Sequence, residues 1–240
     1  MDISPDLLQQ LQNVKALILD MDGVLVDTEP LHMEAFRRYL MRYNLPHDDQ
    51  YIFGFIGFSV PDNMRAVYKR FFHSTDEKKV AQAIKERDAI YLQLLRETPL
   101  KPLPGIPELI RFCQSRELPV ALASSSDWEQ IEVIFDNLKK TSSGSFDPRQ
   151  IFKVVLSGEA VPQRKPHPEI YQRVVQMLNV KPEQALAIED SPAGVQSAKN
   201  AGLICLALKS RFIAQEKLNE ADLKLNSIFD ALNLCKKALQ

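Results

Sequence analysis

Two aspartates separated by one residue end an apolar run near the start of the chain. Asp20 and Asp22 follow the sequence "KALIL", and Gly23 comes directly after them. Two carboxylates this close repel each other unless a positive charge lies beside them. A glycine at this point would allow the backbone to turn sharply. The stretch therefore predicts a buried strand that delivers a pair of acids to a cation.

Three further groups of polar residues follow strand-like segments later in the chain. They are Ser124, Ser125 and Ser126 after "PVALA", Lys165 in "KPHPEIY" after "FKVVLSGE", and Glu189 with Asp190 after "ALAI". Because ligands of an open parallel sheet bind beyond the carboxyl ends of its strands, we expect these side chains at one rim. Several carboxylates at one place suit Mg²⁺, a hard cation that prefers oxygen ligands. A lysine and a serine hydroxyl beside them would hold the oxygens of a phosphoryl group.

Each of these patterns has a simpler explanation when it is taken alone. A pair of aspartates often belongs to a turn, and a serine run after a strand is often a turn or the N-cap of the next helix, here Ser126 or Asp127. A lysine before proline is usually a surface residue, and acids before "SPAG" often begin a helix. We favour a single site because all four patterns fall at strand ends in one alternating fold.

The elements that must position these residues follow two different patterns along the chain. From about residue 105, strand-like segments alternate with helical ones, which predicts a doubly wound, Rossmann-like parallel sheet with helices on both faces. Residues 30–98 show only helical periodicity. We therefore expect an α/β core of residues 1–29 and 99–240, with an all-helical cap of residues 30–98 inserted after the first strand. The segment "TPLKPLPGIPE" is expected to be a stiff linker.

The composition argues against several classes of protein. The 240 residues include 30 basic and 31 acidic ones, so the net charge gives no indication of binding to nucleic acid or to an anionic membrane surface. The apolar runs are too short to span a bilayer, and the N-terminal sequence does not resemble a signal peptide. The three cysteines lie in apolar segments without zinc-site spacing, which favours buried free thiols in a reducing cytosol. We expect a cytoplasmic protein whose partner is a small molecule.

The four patterns together resemble the motifs of the haloacid dehalogenase-like hydrolase superfamily. The matching stretches are "DMDGVLVDTEP", the serine that ends "ALAS", the lysine of "KPHP" and "EDSPAGVQSAKNAG", in the family's order and over nearly the whole chain. The most similar branch contains phosphatases and phosphomutases with a helical cap. The resemblance implies that Asp20 is a nucleophile that forms an aspartyl phosphate and that Asp22 is the general acid/base. It also implies that Ser124 and Lys165 bind phosphate, with Ser125 beside them.

The same resemblance implies a Mg²⁺ cofactor and two substrate-related positions in the cap. The implied metal ligands are the side chains of Asp20 and Asp190, Glu189 directly or through water, and the backbone carbonyl of Asp22. In the cap, His32 stands where such enzymes often have a histidine at the hinge; the alternative is a half-buried helix residue. Gly57 belongs to the stretch "FIGFSVPDN", which resembles the cap loop that dips towards the active site.

Three functions remain open at this point. The favoured one is a Mg²⁺-dependent phosphatase for a small phosphorylated metabolite, with sugar phosphates as the preferred class. The second is a sugar phosphomutase of the β-phosphoglucomutase type, whose hexose-phosphate members carry an arginine where this chain has Val60, although Arg65 or Arg87 could substitute. The third is a signalling receiver domain, whose phosphoacceptor stands on a middle strand of a much shorter chain. The family's dehalogenases lack the second aspartate, so Asp22 favours phosphoryl transfer.

Overall fold

The computed structural model describes residues 3–56, 58–210 and 213–239. The chain forms two compact units. The first, called the core unit, consists of Met1–Asp27 and Leu100–Gln240, and the second, called the helical unit, consists of Thr28–Pro99. No helix in the described part of the chain combines the length and the apolar character needed to span a bilayer.

A parallel sheet forms the centre of the core unit. Its six strands, as far as the chain is described, are β1 Ala16–Leu19, β2 Val120–Ala123, β3 Val154–Leu156, β4 Ala185–Glu189, β5 Ile204–Leu208 and β6 Leu223–Leu225. Their order is β3-β2-β1-β4-β5-β6, and every neighbouring pair is parallel. This confirms the predicted doubly wound sheet. It also places β1 at the point where the direction of winding reverses, where ligands of such sheets bind.

The helices account for most of the remaining structure. In chain order they are α1 Pro5–Leu11, α2 Glu29–Arg42, α3 Asp49–Phe53, α4 Val60–Phe71, α5 Glu77–Glu97, α6 Ile106–Ser115, α7 Trp128–Thr141, α8 Pro148–Ile151, α9 Glu169–Leu178, α10 Pro192–Asn200 and α11 Ile228–Ala238. Between β5 and β6 the described residues include a 3₁₀ turn, Gln215–Leu218, while Arg211 and Phe212 lie outside the described residues.

The sheet is covered so completely that its four central strands contain only buried residues. Every residue of β1, β2, β4 and β5 is buried, which explains why their sequences are continuous apolar runs instead of alternating ones. On one face, Ile170 and Val174 of α9 and Val195 of α10 pack against strand residues such as Ile18 and Ala121. The strand ends are thereby fixed within a rigid, closely packed core.

The helical unit contains α2 to α5 and, among its described residues, no strand. The side chains of Asp48, Ser59 and Asp76 accept N–H bonds in the first turns of α3, α4 and α5. Asp76 therefore caps the long helix α5. Thr28 occupies the N-cap position of α2, but its side chain makes no capping hydrogen bond there. Amphipathic faces on α2, α4 and α5 supply the buried residues of this unit.

Candidate active site

The register of the sheet brings the predicted acids together. Leu19 at the end of β1 lies opposite Leu122 of β2 and Ile188 of β4. The residues that follow Leu19, Leu122 and Ile188 therefore meet at one edge of the sheet. They include Asp20 after β1 and Glu189 at the end of β4. Pairing between Gly23 N–H and the Val26 carbonyl at 2.8 Å closes a tight turn directly after Asp22. Gly23 has φ +77°, so the sharp turn expected at this glycine is present.

Lys165 supplies a positive charge between the two central carboxylates. Its Nζ donates to Asp20 Oδ1 at 2.7 Å, to Glu189 Oε1 at 2.5 Å and to the Ala123 carbonyl at 2.8 Å. The Lys165 side chain is 3% exposed and that of Glu189 is fully buried. Tyr171, on the buried face of α9, donates its hydroxyl to Glu189 Oε1 at 2.6 Å. One buried ammonium group is thus shared by two carboxylates, and neither is left without a partner.

The charges in this cluster shift one another's proton affinity. Burial raises the pKa of Asp20 to about 8; Lys165 opposes the rise, and Glu189 and Asp22 add to it. Burial lowers the pKa of Lys165, but the attraction of Asp20 and Glu189 outweighs it, so the pKa lies above its usual value. Burial and the neighbouring Glu189 also raise the pKa of Tyr171 well above the ordinary tyrosine value. Carboxylates outnumber cations here, and a further positive charge would relieve their repulsion.

The acid cluster fits a small, hard cation. Carboxylate oxygens of Asp20, Glu189 and Asp190 lie within 4.8 Å of one another. Two glycines make room for them: a Cβ at Gly23 would overlap the Asp190 carboxylate, and a Cβ at Gly194 would overlap that of Glu189. An all-oxygen donor set of few carboxylates is what Mg²⁺ takes in proteins. The predicted contribution of Asp22 through its backbone carbonyl stays a prediction.

The serines after β2 lie beside the second aspartate. Ser126 Oγ donates to Asp22 Oδ2 at 2.7 Å, and the Ser126 N–H donates to Ser124 Oγ at 3.0 Å. Ser124 is fully buried, whereas Ser125 is exposed. Asp127, and not Ser126, occupies the N-cap position of α7. The serine run is therefore more than a turn, because one of its hydroxyls is bonded to the predicted general acid/base.

Two contacts in this site were not predicted from the sequence. Ser126 was expected at the rim or as a helix cap, but without its bond to Asp22, and Tyr171 was given no role. A signal for Tyr171 exists in the sequence: it lies on the buried stripe with Ile170 and Val174, where a tyrosine hydroxyl requires a polar partner. No comparable local signal identifies the partner of Ser126, because Asp22 lies 104 residues away in sequence.

The helical unit contains a second polar cluster, built around a buried arginine. Arg87 Nη2 contacts His32 Nδ1 at 2.6 Å and donates to the His32 carbonyl at 3.1 Å, while Nη1 donates to Asp88 Oδ1 at 2.9 Å. Its guanidinium lies over the rings of Phe36 and Tyr91, 4.6 and 4.9 Å from their centroids. Since an arginine only donates, His32 Nδ1 acts as acceptor in this contact.

The remaining predicted cap positions have mixed outcomes. His32 is half-buried and its ring stacks on Tyr91 at 4.0 Å, so its surroundings match the helix-residue alternative without testing a substrate role. Gly57 lies outside the described residues. Arg65, one candidate for a second phosphate-binding arginine, donates to Asp62 and Glu77 and is half-exposed.

Comparison with known proteins agrees with this geometry. Residues 14–202 match the family model for haloacid dehalogenase-like hydrolases. A phosphorylated carbohydrates phosphatase of Thermotoga maritima is 34% identical over 194 residues, covering 79% of this chain and 82% of the relative. Validoxylamine A 7'-phosphate phosphatase of Streptomyces hygroscopicus subsp. limoneus is 30% identical over 215 residues, covering 89% and 94%.

A solved structure shows the same fold. A mutant of CbbY from Rhodobacter sphaeroides, crystallised with xylulose-(1,5)bisphosphate, superposes with a TM-score of 0.74 at 26% sequence identity, covering 90% of this chain and 95% of that one. The family match spans more than half of the chain, and the parallel sheet with its helical insertion agrees with it. The chain therefore belongs to the haloacid dehalogenase-like hydrolases, in the helical-cap branch that includes β-phosphoglucomutase and CbbY.

Proposed function

We propose that the protein is a Mg²⁺-dependent phosphatase that hydrolyses a small phosphorylated metabolite, with sugar phosphates as the preferred class. The observation that carries the proposal is Asp20, which directly follows β1, accepts a hydrogen bond from Lys165 and lies close to the carboxylates of Glu189 and Asp190. A carboxylate in this position has an ammonium group beside it to attract a phosphoryl group. The acid cluster would hold Mg²⁺ through the oxygens of Asp20, Glu189 and Asp190.

In the first half of the proposed reaction, a carboxylate oxygen of Asp20 forms a bond to phosphorus while the bond to the substrate's ester oxygen breaks. Lys165, Ser124 and Ser125 hold the phosphoryl oxygens in place. Asp22 gives a proton to the leaving oxygen, which departs as an alcohol. Mg²⁺, when bound, supplies positive charge that offsets the negative charge of the phosphoryl group.

In the second half, water replaces the alcohol. Asp22, now ionised, takes a proton from a water molecule as that water attacks phosphorus, and the bond between phosphorus and the Asp20 oxygen breaks. Orthophosphate leaves, and both aspartates return to their first state. The Ser126 hydroxyl bonded to Asp22 suits this cycle, because a hydroxyl can donate to a carboxylate and accept from a carboxylic acid.

The proposed substrate class follows from two kinds of support. The relatives above are named as a phosphorylated carbohydrates phosphatase and a validoxylamine A 7'-phosphate phosphatase, and the CbbY structure holds xylulose-(1,5)bisphosphate. In the helical unit, which we propose as the substrate-selecting cap, the residues around the undescribed Gly57 are Phe55, Ile56 and Phe58. An apolar loop of this kind favours a compact or partly apolar leaving group over a doubly charged one.

A sugar phosphomutase is the second candidate, and it is disfavoured by the arginines of the helical unit. A mutase must grip a second phosphate, for which the planar fork of an arginine is the best partner. Val60 cannot do this. Arg87 is fully buried among His32, Asp88 and two aromatic rings, and Arg65 is already paired with two acids.

One assay tests the proposal and separates the two candidates. The protein is incubated with a panel of phosphorylated metabolites in Mg²⁺ and in EDTA, and with hexose 1-phosphates in the presence and absence of the matching bisphosphate. We expect Mg²⁺-dependent release of orthophosphate that does not require the bisphosphate. Formation of the hexose 6-phosphate faster than orthophosphate release would instead establish a mutase. Absence of phosphate release from every compound in the panel would overturn the proposal.

A further inference from the structure

The chain segment that carries Lys165 also forms hydrogen bonds with the serine run that follows β2. We call residues 124–127 the serine loop. The Gly158 N–H donates to the Ser126 carbonyl at 3.0 Å. Arg164, next to Lys165 in sequence, donates from Nη1 to the Ser125 carbonyl at 3.1 Å and from Nη2 to Asp127 Oδ1 at 2.5 Å. Three successive residues of the serine loop are therefore bonded to one short segment.

The two segments lie so close that a side chain between them is excluded. A Cβ at Gly158 would lie 2.5 Å from the Ser125 carbonyl oxygen, which is well inside van der Waals contact. At the end of the loop, the backbone N–H of Trp128 donates to Glu159 Oε2 at 2.7 Å. The segment is thus bonded to Ser125, Ser126 and Asp127 of the loop and to Trp128 directly after it.

The backbone N–H of Ser125, which takes no part in these bonds, remains available to bind a ligand. In the described part of the chain, the N–H of Ser125 donates to no protein acceptor, and Ser125 is exposed. Arg164 holds the carbonyl of the same residue, which restricts rotation of the loop's backbone. Because the guanidinium is a planar fork, its two N–H bonds fix the loop in direction as well as in distance.

We infer that Arg164 is a positioning residue for phosphate binding: it fixes the serine loop relative to Lys165 so that both meet the same phosphoryl group. The inference rests on the proposed function. Arg164 and Asp127 are 50% and 41% exposed, and an ion pair this exposed contributes little to the stability of the fold. Loss of Arg164 should therefore change the geometry of the loop while the protein stays folded.

The chain offers a closely matched control. Arg173 is 44% exposed, donates to the carbonyl of Ala160 at 2.6 Å and pairs with Glu169, so it also forms a fork between a carbonyl and a carboxylate. Among the described residues, Arg173 forms no hydrogen bond or ion pair with the serine loop. Arg164→Ala, Arg164→Lys, Asp127→Asn and Arg173→Ala would be compared with the wild type in melting temperature, in steady-state kinetics on the best phosphomonoester, and in calorimetric binding of orthophosphate with Mg²⁺.

We expect Arg164→Ala to raise both KM and the orthophosphate dissociation constant by about tenfold, with a smaller fall in kcat, because a displaced loop costs binding and alignment. Arg164→Lys should recover part of the loss, since an ammonium reaches one partner but not both. Asp127→Asn, which keeps a capping side chain for α7, should show a smaller loss. Arg173→Ala should remain within about twofold of the wild type on every readout.

The outcomes separate this inference from the proposed function. If Arg164→Ala matches Arg173→Ala in both KM and orthophosphate binding, the inference is wrong. If the wild type hydrolyses no phosphomonoester, the proposed function fails, and orthophosphate binding still decides: weaker binding by Arg164→Ala supports the positioning role, and equal binding overturns it. A wild type that neither hydrolyses phosphomonoesters nor binds orthophosphate overturns both. If Arg164→Ala does not fold, the comparison of Asp127→Asn with Arg173→Ala decides in the same way.

Discussion

Among the described residues, the core unit and the helical unit each contain a cation with a buried side chain, and the two cations have different kinds of partner. Lys165 in the core unit is 3% exposed and lies between the carboxylates of Asp20 and Glu189. Arg87 in the helical unit is fully buried, but its partners include a single carboxylate, that of Asp88. Its other contacts are His32 and two aromatic rings. The first cation is outnumbered by negative charge, whereas the second has its charge spread over neutral groups.

The difference indicates what each site is built for. Burying a charge is costly, and partners only offset that cost when geometry and hydrogen bonds are good. In the helical unit, polar acceptors and π faces offset part of this cost and hold the guanidinium of Arg87 against His32. In the core unit the carboxylates exceed the cations, so the cluster remains able to gain by binding a metal ion and a phosphoryl group. Excess charge at a strand end is the feature that favours chemistry there.

The largest effect should come from the proposed nucleophile. Asp20→Asn removes the only oxygen that is proposed to attack phosphorus, yet it preserves the size of the side chain. We expect kcat to fall by at least about 10⁴-fold, as is usual when a nucleophile is lost. The melting temperature should stay within a few degrees of the wild-type value. The loss is measured as the rate of orthophosphate release by the variant and the wild type, purified in the same way. Activity above about a hundredth of the wild-type value would exclude Asp20 as the nucleophile.

Asp22→Asn is the matched control, since it changes the neighbouring aspartate in the same way. This variant keeps the backbone carbonyl but cannot carry a proton. Its loss should be large for alkyl phosphates and small for activated aryl phosphates, whose leaving oxygen needs little protonation. Asp20→Asn should instead lose both substrate types equally. If Asp22→Asn also lost both equally, the acid/base role of Asp22 would have to be abandoned.

Removing one acid from the cluster should weaken metal binding without affecting the helical unit. Asp190→Ala is expected to raise the Mg²⁺ concentration for half-maximal activity by about a hundredfold, because Mg²⁺ takes few protein carboxylates. Binding of Mg²⁺ should raise the melting temperature of the wild type but not that of Asp190→Ala. Ca²⁺ should inhibit, since its looser shell misplaces the reacting groups. Activity that survives EDTA would show that the acid cluster has been misassigned.

The buried arginine offers a test of the other half of the comparison. Arg87→Met keeps most of the apolar stem but leaves the His32 carbonyl and Asp88 without their donor. We expect a loss of about 2 kcal/mol in the free energy of unfolding, measured by urea denaturation. Arg65→Met, which removes an exposed arginine from the same unit, should cause no resolvable change. The rise in melting temperature caused by Mg²⁺ should persist in Arg87→Met, because that response belongs to the core unit.

The comparison also shows which parts of the structure were predictable from the sequence. Asp20, Ser124 and Glu189 could be placed at one rim because strand ends in an alternating fold meet there, whatever the strand order. The strand order itself was not predicted, since it depends on pairings between distant segments. The roles of these residues remain predictions that the assays above test.

Arg87 was harder to place than the strand-end residues. A charged residue on a helix is normally solvent-exposed, and only its position on the same stripe as Ala83, Ile90 and Tyr91 indicates burial. What pairs with it cannot be read from that stripe, because His32 is 55 residues away in sequence. The Ser126–Asp22 bond and the role of Tyr171 were missed for the same reason. Periodicity indicates which way a side chain faces, but its polar partner comes from another part of the chain.

The smallest expected effect concerns a carboxylate that is paired at the surface. Glu34 accepts from Arg37 and Arg38 at 2.8 Å each on the exposed side of α2. Burial is the largest single influence and raises its pKa, but the hydrogen bonds and charges of Arg38 and Arg37 together outweigh it and lower the pKa below the usual glutamate value of 4.5. The pairs therefore stabilise the folded state above about pH 4.5, and this contribution is lost as the pH falls through the lower folded-state pKa.

Glu34→Gln should reduce the free energy of unfolding by about 0.5 kcal/mol at pH 7, as is typical of helix ion pairs, far less than Arg87→Met. Urea midpoints of the wild type and the variant, measured from pH 7 downwards, should converge in acid. A gap that stayed constant to the lowest pH would mean that packing of the side chain, and not its charge, is what the substitution removes.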